Sequence, residues 1–360
     1  MASILFGAIA AASYASHTLP VEGSVVSATD PAIQYMGRVS FAKEGVARFN
    51  FPGTAIMARF EGTSLRMMCR PHTGFFMAQI DGCAPFKVAF EAACDSVVNL
   101  ATALPKGEHQ VRLMYAIEGL YREPEFRGFV LDSGCRLVES PALPERKIEF
   151  IGNSITCGYG VESTDGADPF EDATENHFLT YANIVSDSLC AQHTSISRSG
   201  IGAYRNYNGP SKGSVDCMPW QYGYTLFNRH EEQWDFSKYQ PQLVCINLGT
   251  NDFSTPGYDA SLYEKNYREF LATVRSHYPK AKIVLLSGPM LGQKENDLEK
   301  GILDRICKDF GKKGDHEVYR FDFTPQTGSL GFGASGHPSK AQQRFMADEL
   351  LPFLRKIMNW

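Results

Sequence analysis

Two residues of the chain, Ser154 and His337, have the side chains that acyl-transfer chemistry requires. Ser154 follows Gly152 after the strand-like run KIEFI, and His337 lies in the segment GHPSK near the end of the chain. A serine hydroxyl becomes a good nucleophile when a neighbouring imidazole accepts its proton. Taken singly, a serine after such a run is more often a helix cap, and a lone histidine is more often structural.

Two other positions, Gly200 and Asn251, could stabilise the negative charge that such a reaction generates. Gly200 in SRSGIGAYRN has an unhindered backbone N–H, and Asn251 in GTND has a side-chain amide. Preorganised N–H donors of both kinds stabilise an oxyanion. Each residue alone is typical of a turn, but all four positions lie beside a predicted element boundary, and together they favour one site.

These residues can share a site if the strands before them are parallel, because the carboxyl ends of parallel strands meet at one edge of a sheet. Over residues 144–360, strand-like runs alternate with amphipathic helical stretches, so we predict an α/β domain with helices on both faces of a parallel sheet. The predicted strands are KIEFIG, HTSISRSG, PQLVCINLG, AKIVLLSGP and EVYRFDF. The predicted helices are ENHFLTYANIVSDSLCAQ, DASLYEKNYREFLATVRSHYP, NDLEKGILDRICKDFGKKG and SKAQQRFMADELLPFLRKIM.

Residues 21–143 follow a different pattern, in which short β-rich runs such as GFFMAQIDG and HQVRLMYAIEG recur between turn residues without a helical period. This pattern predicts an antiparallel β-sandwich. The segment ESPALPERK, with two prolines and mixed charges, marks the connector to the α/β domain. A chain of 360 residues also favours two domains over one.

The segment at residues 1–20, MASILFGAIAAASYASHTLP, has an apolar stretch of small residues but no Lys or Arg before it. It therefore has one feature of a secretory signal, the apolar stretch, but lacks the basic residues that normally precede it. We predict a signal or tail segment there. The expected location is secreted or periplasmic, with a cytoplasmic location left open. No apolar run reaches the roughly 20 residues of a membrane span.

The composition excludes some classes of partner. The net charge is −5, from 35 basic and 40 acidic residues that are interspersed along the chain, which argues against binding to nucleic acid. Nine scattered cysteines form no C-x-x-C pair, so no metal or other cofactor is expected. The oligomeric state is left open.

The blocks GNSIT, the SG of SRSGIGAYRN, GTND and GHP resemble those of the SGNH (GDSL-type) hydrolases. The phrases GNSITCGYGVE, ENHFLTYA, AYRNY and HPS, with a β-sandwich before them, are similar to carbohydrate esterase family 2. The resemblance covers nearly the whole chain. It implies a three-layer, flavodoxin-like SGNH hydrolase domain preceded by a jelly-roll sandwich.

The resemblance also implies the roles of the residues. Ser154 would be the nucleophile and His337 the base, and the oxyanion hole would combine the Ser154 N–H, the Gly200 N–H and the Asn251 side chain. The implied reaction removes O-acetyl groups from carbohydrates through an acetyl-enzyme, with transacetylation as a further outcome. Expected substrates are 6-O-acetyl hexose units, as in glucomannan, or acetylated xylan, and no metal is implied.

One departure from the superfamily concerns Ala334, which occupies the position where an aspartate usually precedes the histidine by three residues. Some members of family 2 work with a Ser-His dyad, so we predict that a main-chain carbonyl near Ala334 or Ser335 orients the imidazole of His337. A remote carboxylate, Asp252 or Asp322, is the competing hypothesis.

Aromatic residues near the predicted site could stack on sugar rings, and Trp220, Tyr204 and Tyr159 are the candidates. His177 and His230 are interpreted as structural. Two other functions stay open: a carbohydrate-binding protein on an inactive hydrolase scaffold, and a lipase or thioesterase on the same fold. The polar, tyrosine-rich segment GAYRNYNGPSKG favours a sugar over a lipid.

Overall fold

The computed structural model describes residues 21–94 and 96–360, which form an all-β domain followed by an α/β domain. The predicted signal or tail segment at residues 1–20 lies outside the described residues. Within the described part of the chain, each helix is too short or too polar to cross a membrane.

The first domain is a sandwich of two antiparallel sheets. One sheet has the order β1-β10-β5-β8, with β3 beside β10, and the other has the order β11-β4-β9-β6-β7, with β2 beside β4. The strands are β1 (Ser24–Ser27), β2 (Gln34–Met36), β3 (Ala47–Arg48), β4 (Ala55–Gly62), β5 (Leu65–Cys69), β6 (Gly74–Ile80), β7 (Phe86–Phe90), β8 (Val97–Ala101), β9 (Gly107–Tyr115), β10 (Glu125–Leu131) and β11 (Leu137–Val138).

Alternation along the strands explains the core between these sheets. In β5, Leu65, Met67 and Cys69 are fully buried in the core, whereas Arg66 and Met68 between them are only partly buried. Successive side chains of a strand point to opposite faces, so one face of β5 packs inside the sandwich and the other lies nearer solvent.

The second domain contains a parallel five-stranded sheet with the order β13-β12-β16-β17-β18, beside a hairpin of β14 and β15. The strands are β12 (Arg146–Gly152), β13 (Ala191–Ser197), β14 (Tyr224–Leu226), β15 (Arg229–Gln233), β16 (Leu243–Asn247), β17 (Lys282–Ser287) and β18 (Val318–Asp322). The helices are α1 (Ser154–Cys157), α2 (Tyr181–Ser188), α3 (Met218–Gln221), α4 (Thr250–Phe253), α5 (Ala260–His277), α6 (Gln293–Lys312) and α7 (Lys340–Met358).

Both faces of the parallel sheet are covered by helices. Val244 and Ile246 of β16 pack in the core with α5 and α6. Leu243 and Cys245 of the same strand pack in the core with α2 and α7. A strand that is buried on both faces has a continuous apolar sequence, as LVCI in β16 has, and the result is the three-layer α/β fold that the sequence predicts.

The helix predicted over residues 175–192 is wrong in its length, because α2 covers only Tyr181–Ser188. The Thr180 side chain caps α2 by accepting a hydrogen bond from the Asn183 N–H. Before this cap, the His177 N–H donates to the Ala116 carbonyl of the β-sandwich, at 2.7 Å. Thr180 itself has an extended backbone, with φ −79° and ψ 159°, so the helix cannot continue back through it, and the His177 N–H instead joins the two domains.

The two domains also share buried polar contacts. The Arg38 guanidinium of the β-sandwich donates to the Tyr222 carbonyl at 2.5 Å and the Tyr224 carbonyl at 2.8 Å. Asn50 and Phe227 exchange two hydrogen bonds of 2.8 Å, from the Asn50 side chain to the Phe227 carbonyl and from the Phe227 N–H to the Asn50 side chain. Buried polar groups need partners, so these pairs favour one arrangement of the domains.

Candidate active site

Ser154 lies where β12 ends and the short helix α1 begins. The Asn153 side chain caps this helix by accepting a hydrogen bond from the Ile155 N–H at 3.0 Å. A Cβ atom on Gly152 would lie 2.1 Å from the Thr156 hydroxyl oxygen, so the tight turn before Ser154 requires glycine. The strand, the cap and the turn together hold the serine at the sheet edge.

His337 contacts Ser154 directly, with its Nε2 atom 2.9 Å from the Ser154 hydroxyl oxygen. Its Nδ1 atom lies 3.1 Å from the Ala334 carbonyl oxygen. That oxygen can only accept, so Nδ1 must carry the proton, and the lone pair of Nε2 faces the serine. Ser335 has a φ of 52°, a left-handed conformation that is uncommon outside glycine, in the turn that presents the Ala334 carbonyl to the ring.

Burial keeps the imidazole of His337 neutral. It lowers the pKa of His337 to about 4, and hydrogen bonds to the backbone of Ala334 and Ser335 oppose this shift in part. The ring of Tyr159 stacks on the imidazole at a centroid distance of 4.1 Å and contributes to that burial. A neutral imidazole with a free Nε2 lone pair is the form that can accept a proton from Ser154.

Asn251 and Gly200 belong to one connected loop structure. Asn251 is in the first turn of α4, and its side-chain amide donates to the Ile201 carbonyl at 2.8 Å. An amide has two N–H groups, so the second can serve a ligand. Gly200 has a φ of +77° and a Cβ there would meet no atom within 4 Å, so the backbone conformation, and not the available space, favours glycine.

Asp252 supports the loop that follows Gly200. Its carboxylate accepts hydrogen bonds from the Ala203, Tyr204 and Arg205 N–H groups, at 3.0, 2.9 and 3.0 Å. Burial raises the pKa of Asp252 to about 6, although these hydrogen bonds act in the opposite direction. The partners of Asp252 therefore lie in the loop, and the partners of His337 are Ser154 and Ala334.

Asp322 makes different contacts at the end of β18. It accepts a hydrogen bond from the Ser287 hydroxyl at 3.1 Å and pairs with Arg320 at 3.0 Å. Within residues 21–94 and 96–360, neither Asp322 nor Asp252 forms a hydrogen bond to His337, whose ring contacts Ser154 and Ala334. The contacts of both carboxylates thus favour structural roles.

The aromatic candidates for sugar binding lie in three different environments. Tyr204 is 2% exposed, and its hydroxyl accepts a hydrogen bond from the Asp259 N–H at 2.6 Å. Tyr159 is stacked between His337 and Phe170, the latter at 4.2 Å, so both of its ring faces are covered. The expectation of sugar stacking does not fit these two residues. It stays a prediction for Trp220, which is 48% exposed.

The other two histidines have structural contacts. His177 is fully buried, with Nδ1 2.9 Å from the Thr156 carbonyl and Nε2 3.0 Å from Nε2 of His193. His230 lies 3.3 Å from the Gln221 side-chain oxygen and packs against Trp220. Neither contacts Ser154 through these groups, in agreement with their interpretation as structural residues.

Sequence reasoning missed Glu118, which lies between β9 and β10 of the β-sandwich. Its carboxylate accepts a hydrogen bond of 2.6 Å from the Ser199 N–H, directly before Gly200. Glu118 also lines a cavity of about 420 Å³ beside Phe170 and Tyr121. Phe170 stacks on Tyr159, which stacks on His337, so Phe170 and Tyr159 lie between this cavity and the imidazole. A single sequence offers no signal for such a contact between domains.

One group in residues 21–94 and 96–360 has the composition of a metal site: Glu118, Cys157 and Glu175, whose candidate ligand atoms lie within 4.8 Å of one another. Burial raises the pKa of all three groups, well above the usual range for Glu175 and Cys157. Metals bind the deprotonated forms, so a cation could be held here only with loss of protons from these groups. The expectation of a metal-free enzyme stays a prediction.

Comparison with known proteins identifies the family. Residues 35–141 match the family model described as carbohydrate esterase 2 N-terminal, and residues 148–350 match GDSL-like lipase/acylhydrolase. A solved structure of a family two carbohydrate esterase from Clostridium thermocellum, in complex with cellohexaose, is 36% identical with a TM-score of 0.85, covering 91% of this chain and 99% of that one. The chain belongs to carbohydrate esterase family 2.

Two curated relatives are similar to this esterase over most of its length. The cellulase/esterase CelE of Acetivibrio thermocellus is 36% identical over 335 residues, which are 92% of this chain but only 40% of that protein. An acetylxylan esterase / glucomannan deacetylase of Cellvibrio japonicus is 29% identical over 338 residues, 93% of this chain and 91% of that protein. The predicted family, SGNH fold and assignment as a carboxylic ester hydrolase are confirmed.

Proposed function

We propose that this esterase removes O-acetyl groups from a polysaccharide or its oligosaccharides, with Ser154 as the nucleophile and His337 as the general base. The observation that carries the proposal is the 2.9 Å contact between the Ser154 hydroxyl and Nε2 of His337, whose Nδ1 is turned to the Ala334 carbonyl. Nucleophile, base and orienting group are thereby in hydrogen-bonding contact, which is the geometry that serine activation needs.

The reaction begins when the Ser154 hydroxyl oxygen attacks the acetyl carbonyl carbon while Nε2 of His337 takes its proton. Negative charge develops on the carbonyl oxygen, and the N–H groups of Ser154 and Gly200 and the Asn251 amide stabilise it. The imidazolium then gives its proton to the departing sugar oxygen. Because the pKa of His337 is low, the imidazolium is a strong acid for that step.

The acetyl-enzyme is then hydrolysed by the reverse sequence of proton transfers. Water attacks the acetyl group on Ser154 while His337 accepts a proton from that water, and acetate departs as the proton returns to the serine oxygen. A second sugar hydroxyl can replace the water, which gives transacetylation. The residues of this chain supply every acid and base that these reaction steps use, so the proposed reaction requires no cofactor.

The relatives support an acetylated plant polysaccharide as substrate. One is named acetylxylan esterase / glucomannan deacetylase, and we propose the 6-O-acetyl hexose units of glucomannan, with acetylated xylan as a second substrate. The cavity of about 420 Å³ between the domains, lined by Tyr121 and Phe170 among others, offers space for a sugar unit of such a chain. Such polymers are too large to cross a membrane unaided, which favours action outside the cytoplasm.

A second proposed role is the binding of unacetylated glucan at the same site, because a relative of 36% identity was solved in complex with cellohexaose. The esterase role is tested by acetate release from an aryl acetate, acetylated glucomannan and acetylated xylan, with wild type and Ser154→Ala. The binding role is tested by measuring the affinity of the same proteins for cellohexaose. We expect acetate release by wild type and a loss of about 10³-fold or more in a correctly folded Ser154→Ala. Retained activity in the variant contradicts the assignment of Ser154 as the nucleophile. If wild type binds cellohexaose but releases no acetate, only the binding role is supported.

A further inference from the structure

The carboxylate of Glu118 contacts two parts of the candidate active site. Its Oε2 atom accepts a hydrogen bond from the Ser199 N–H at 2.6 Å, one residue before Gly200. The same atom is 3.6 Å from the Cys157 thiol, which donates to it. Cys157 ends helix α1, and Ser154 begins it. One oxygen of the β-sandwich thus joins the serine helix to the Gly200 loop.

Glu118 is itself held by the α/β domain. Its backbone N–H donates to the Glu175 carboxylate at 3.1 Å, and two residues earlier the Ala116 carbonyl accepts a hydrogen bond of 2.7 Å from the His177 N–H. Glu175 and His177 are fully buried. The α/β domain therefore holds the backbone at Ala116 and at Glu118, and after Glu118 the Gly119 N–H donates to the Asn50 carbonyl at 2.9 Å, which together restrict the position of the carboxyl group.

The Gly200 loop depends on such anchors because Gly200 has no side chain to pack. After Gly200, the loop is held by the Asn251 amide on the Ile201 carbonyl and by Asp252 further on. Before Gly200, the bond from the Ser199 N–H to Glu118 is 2.6 Å, whereas that from the Arg198 N–H to the Gly152 carbonyl is 3.3 Å. The bond to Glu118 is thus the shorter of these two upstream contacts.

We propose that Glu118 is a positioning residue for the oxyanion hole, supplied to the hydrolase domain by the β-sandwich. Its carboxylate fixes the distance between the Ser154 and Gly200 N–H groups through Cys157 and Ser199. The inference rests on the proposed oxyanion role of Gly200. It also gives the N-terminal domain a part in catalysis, because without that domain the Gly200 loop loses the shorter of its two upstream hydrogen bonds.

The proposal predicts a specific kinetic signature for Glu118 variants. Glu118→Ala removes the acceptor and should lower kcat by about tenfold to 10²-fold, since a misplaced donor costs less than the about 10²–10³-fold of a deleted one. KM should change less than about twofold. Glu118→Gln keeps an oxygen for the Ser199 N–H and should retain kcat within about threefold. Burial raises the pKa of Glu118, and glutamine resembles the protonated form.

Asn50→Ala provides the matched control. This variant removes the two hydrogen bonds of 2.8 Å that join Asn50 to Phe227 across the same domain interface. It removes none to Ser199 and keeps the main-chain bond of 2.9 Å from the Gly119 N–H to the carbonyl of residue 50. We expect its kcat to stay within about twofold of wild type. An equal loss in Asn50→Ala and Glu118→Ala would overturn the proposal, because a loosened interface would then explain both.

Amide hydrogen exchange of the segment 195–203, followed by mass spectrometry, tests the anchor without any assay of activity. Glu118→Ala should speed exchange there, while Glu118→Gln and Asn50→Ala should not. Unchanged exchange, unchanged kcat or a change confined to KM would each overturn the proposal, the last by making Glu118 a substrate contact. If Glu118→Ala does not fold, Glu118→Leu is tested in its place. If neither variant folds, Glu118 is required for stability and the proposed positioning role is overturned. Absence of esterase activity in wild type would refute the proposed function instead, with the exchange result still valid.

Discussion

The imidazole of His337 points its Nδ1 at the main-chain oxygen of Ala334, 3.1 Å away, where related hydrolases usually place an aspartate. A carbonyl fixes the tautomer of the imidazole as a carboxylate would, but it carries no net charge to stabilise an imidazolium. The pKa of His337, lowered to about 4 by burial, agrees with an imidazole that lacks an acidic partner.

The dyad hypothesis predicts that removing a candidate third acid does not abolish catalysis. Loss of a true triad acid costs about 10⁴-fold in kcat. Asp322→Asn should leave kcat within about threefold, because Asp322 contacts Ser287 and Arg320. Asp252→Asn should chiefly lower the free energy of unfolding, because Asp252 holds the backbone of Ala203 and its neighbours. A folded variant of either residue that loses about 10⁴-fold in kcat would replace the dyad with a triad.

Asn251→Ala should lower kcat by about 10²–10³-fold with little change in KM, because it deletes one donor to the oxyanion. Asn266→Ala is the matched control. Its side chain donates to the Leu262 carbonyl at 2.8 Å on helix α5, so the same chemical change there should leave kcat unaltered. Steady-state kinetics on an aryl acetate measure both variants. A rise in KM alone would make Asn251 a substrate contact.

Much of the α/β domain could be predicted because its elements have strong periodicity. The apolar run LVCIN is strand β16, and the amphipathic segment after Asp259 is helix α5, capped by the Asp259 side chain. The hairpin of β14 and β15 was not anticipated, since RHEEQ in β15 lacks apolar alternation and is held by its partner strand. Local sequence patterns predict a helix or strand when its own apolar residues are spaced so that one face or both faces are buried.

Some residues of the candidate site could likewise be predicted from local sequence, and others could not. Ser154, Gly200 and Asn251 follow strands and could be found from local sequence, as could the carbonyl partner of His337. Glu118 could not, because its contact with Ser199 joins residues of different domains and depends on how the domains dock. Tyr204 does not fit the predicted sugar-binding role, because an aromatic side chain in a polar segment can still be buried in the core, as this one is.

Activity should survive exhaustive dialysis against a chelator. The proposed acid, base and oxyanion donors all come from the chain, so no step of the proposed reaction needs a metal. Within the part of the chain that the structure describes, Glu118, Cys157 and Glu175 are the group that could hold one. Hydrolysis of an aryl acetate before and after dialysis, with elemental analysis of the protein, checks this. Activity lost on dialysis and restored by one added metal would contradict it, and Glu175→Gln would then show whether this group is the site.

The pH dependence of kcat/KM should report the ionisation of His337, because only the neutral imidazole can accept the Ser154 proton. With a pKa of about 4, activity should be constant from about pH 8 down to about pH 5. Below the pKa it should fall about tenfold per pH unit. An apparent pKa near about 6.5, the ordinary value for histidine, would indicate a partner that stabilises the imidazolium, and a carboxylate would again become the favoured orienting group.

Acid unfolding must be separated from this ionisation. His177 also has a pKa that burial lowers to about 4 in the folded protein, against about 6.5 in an unfolded chain. The unfolded state therefore binds more protons between these values, and the free energy of unfolding falls as pH falls through this window, by up to about 1.4 kcal/mol per pH unit for each such histidine. Near-UV circular dichroism at every assay pH identifies the range in which the protein is folded. A fall in kcat/KM near pH 4 with an unchanged spectrum is assigned to the ionisation of His337. A fall that coincides with loss of the near-UV signal is assigned to unfolding and does not support the predicted ionisation. The pKa of His337 would then be measured in an acid-stabilised variant.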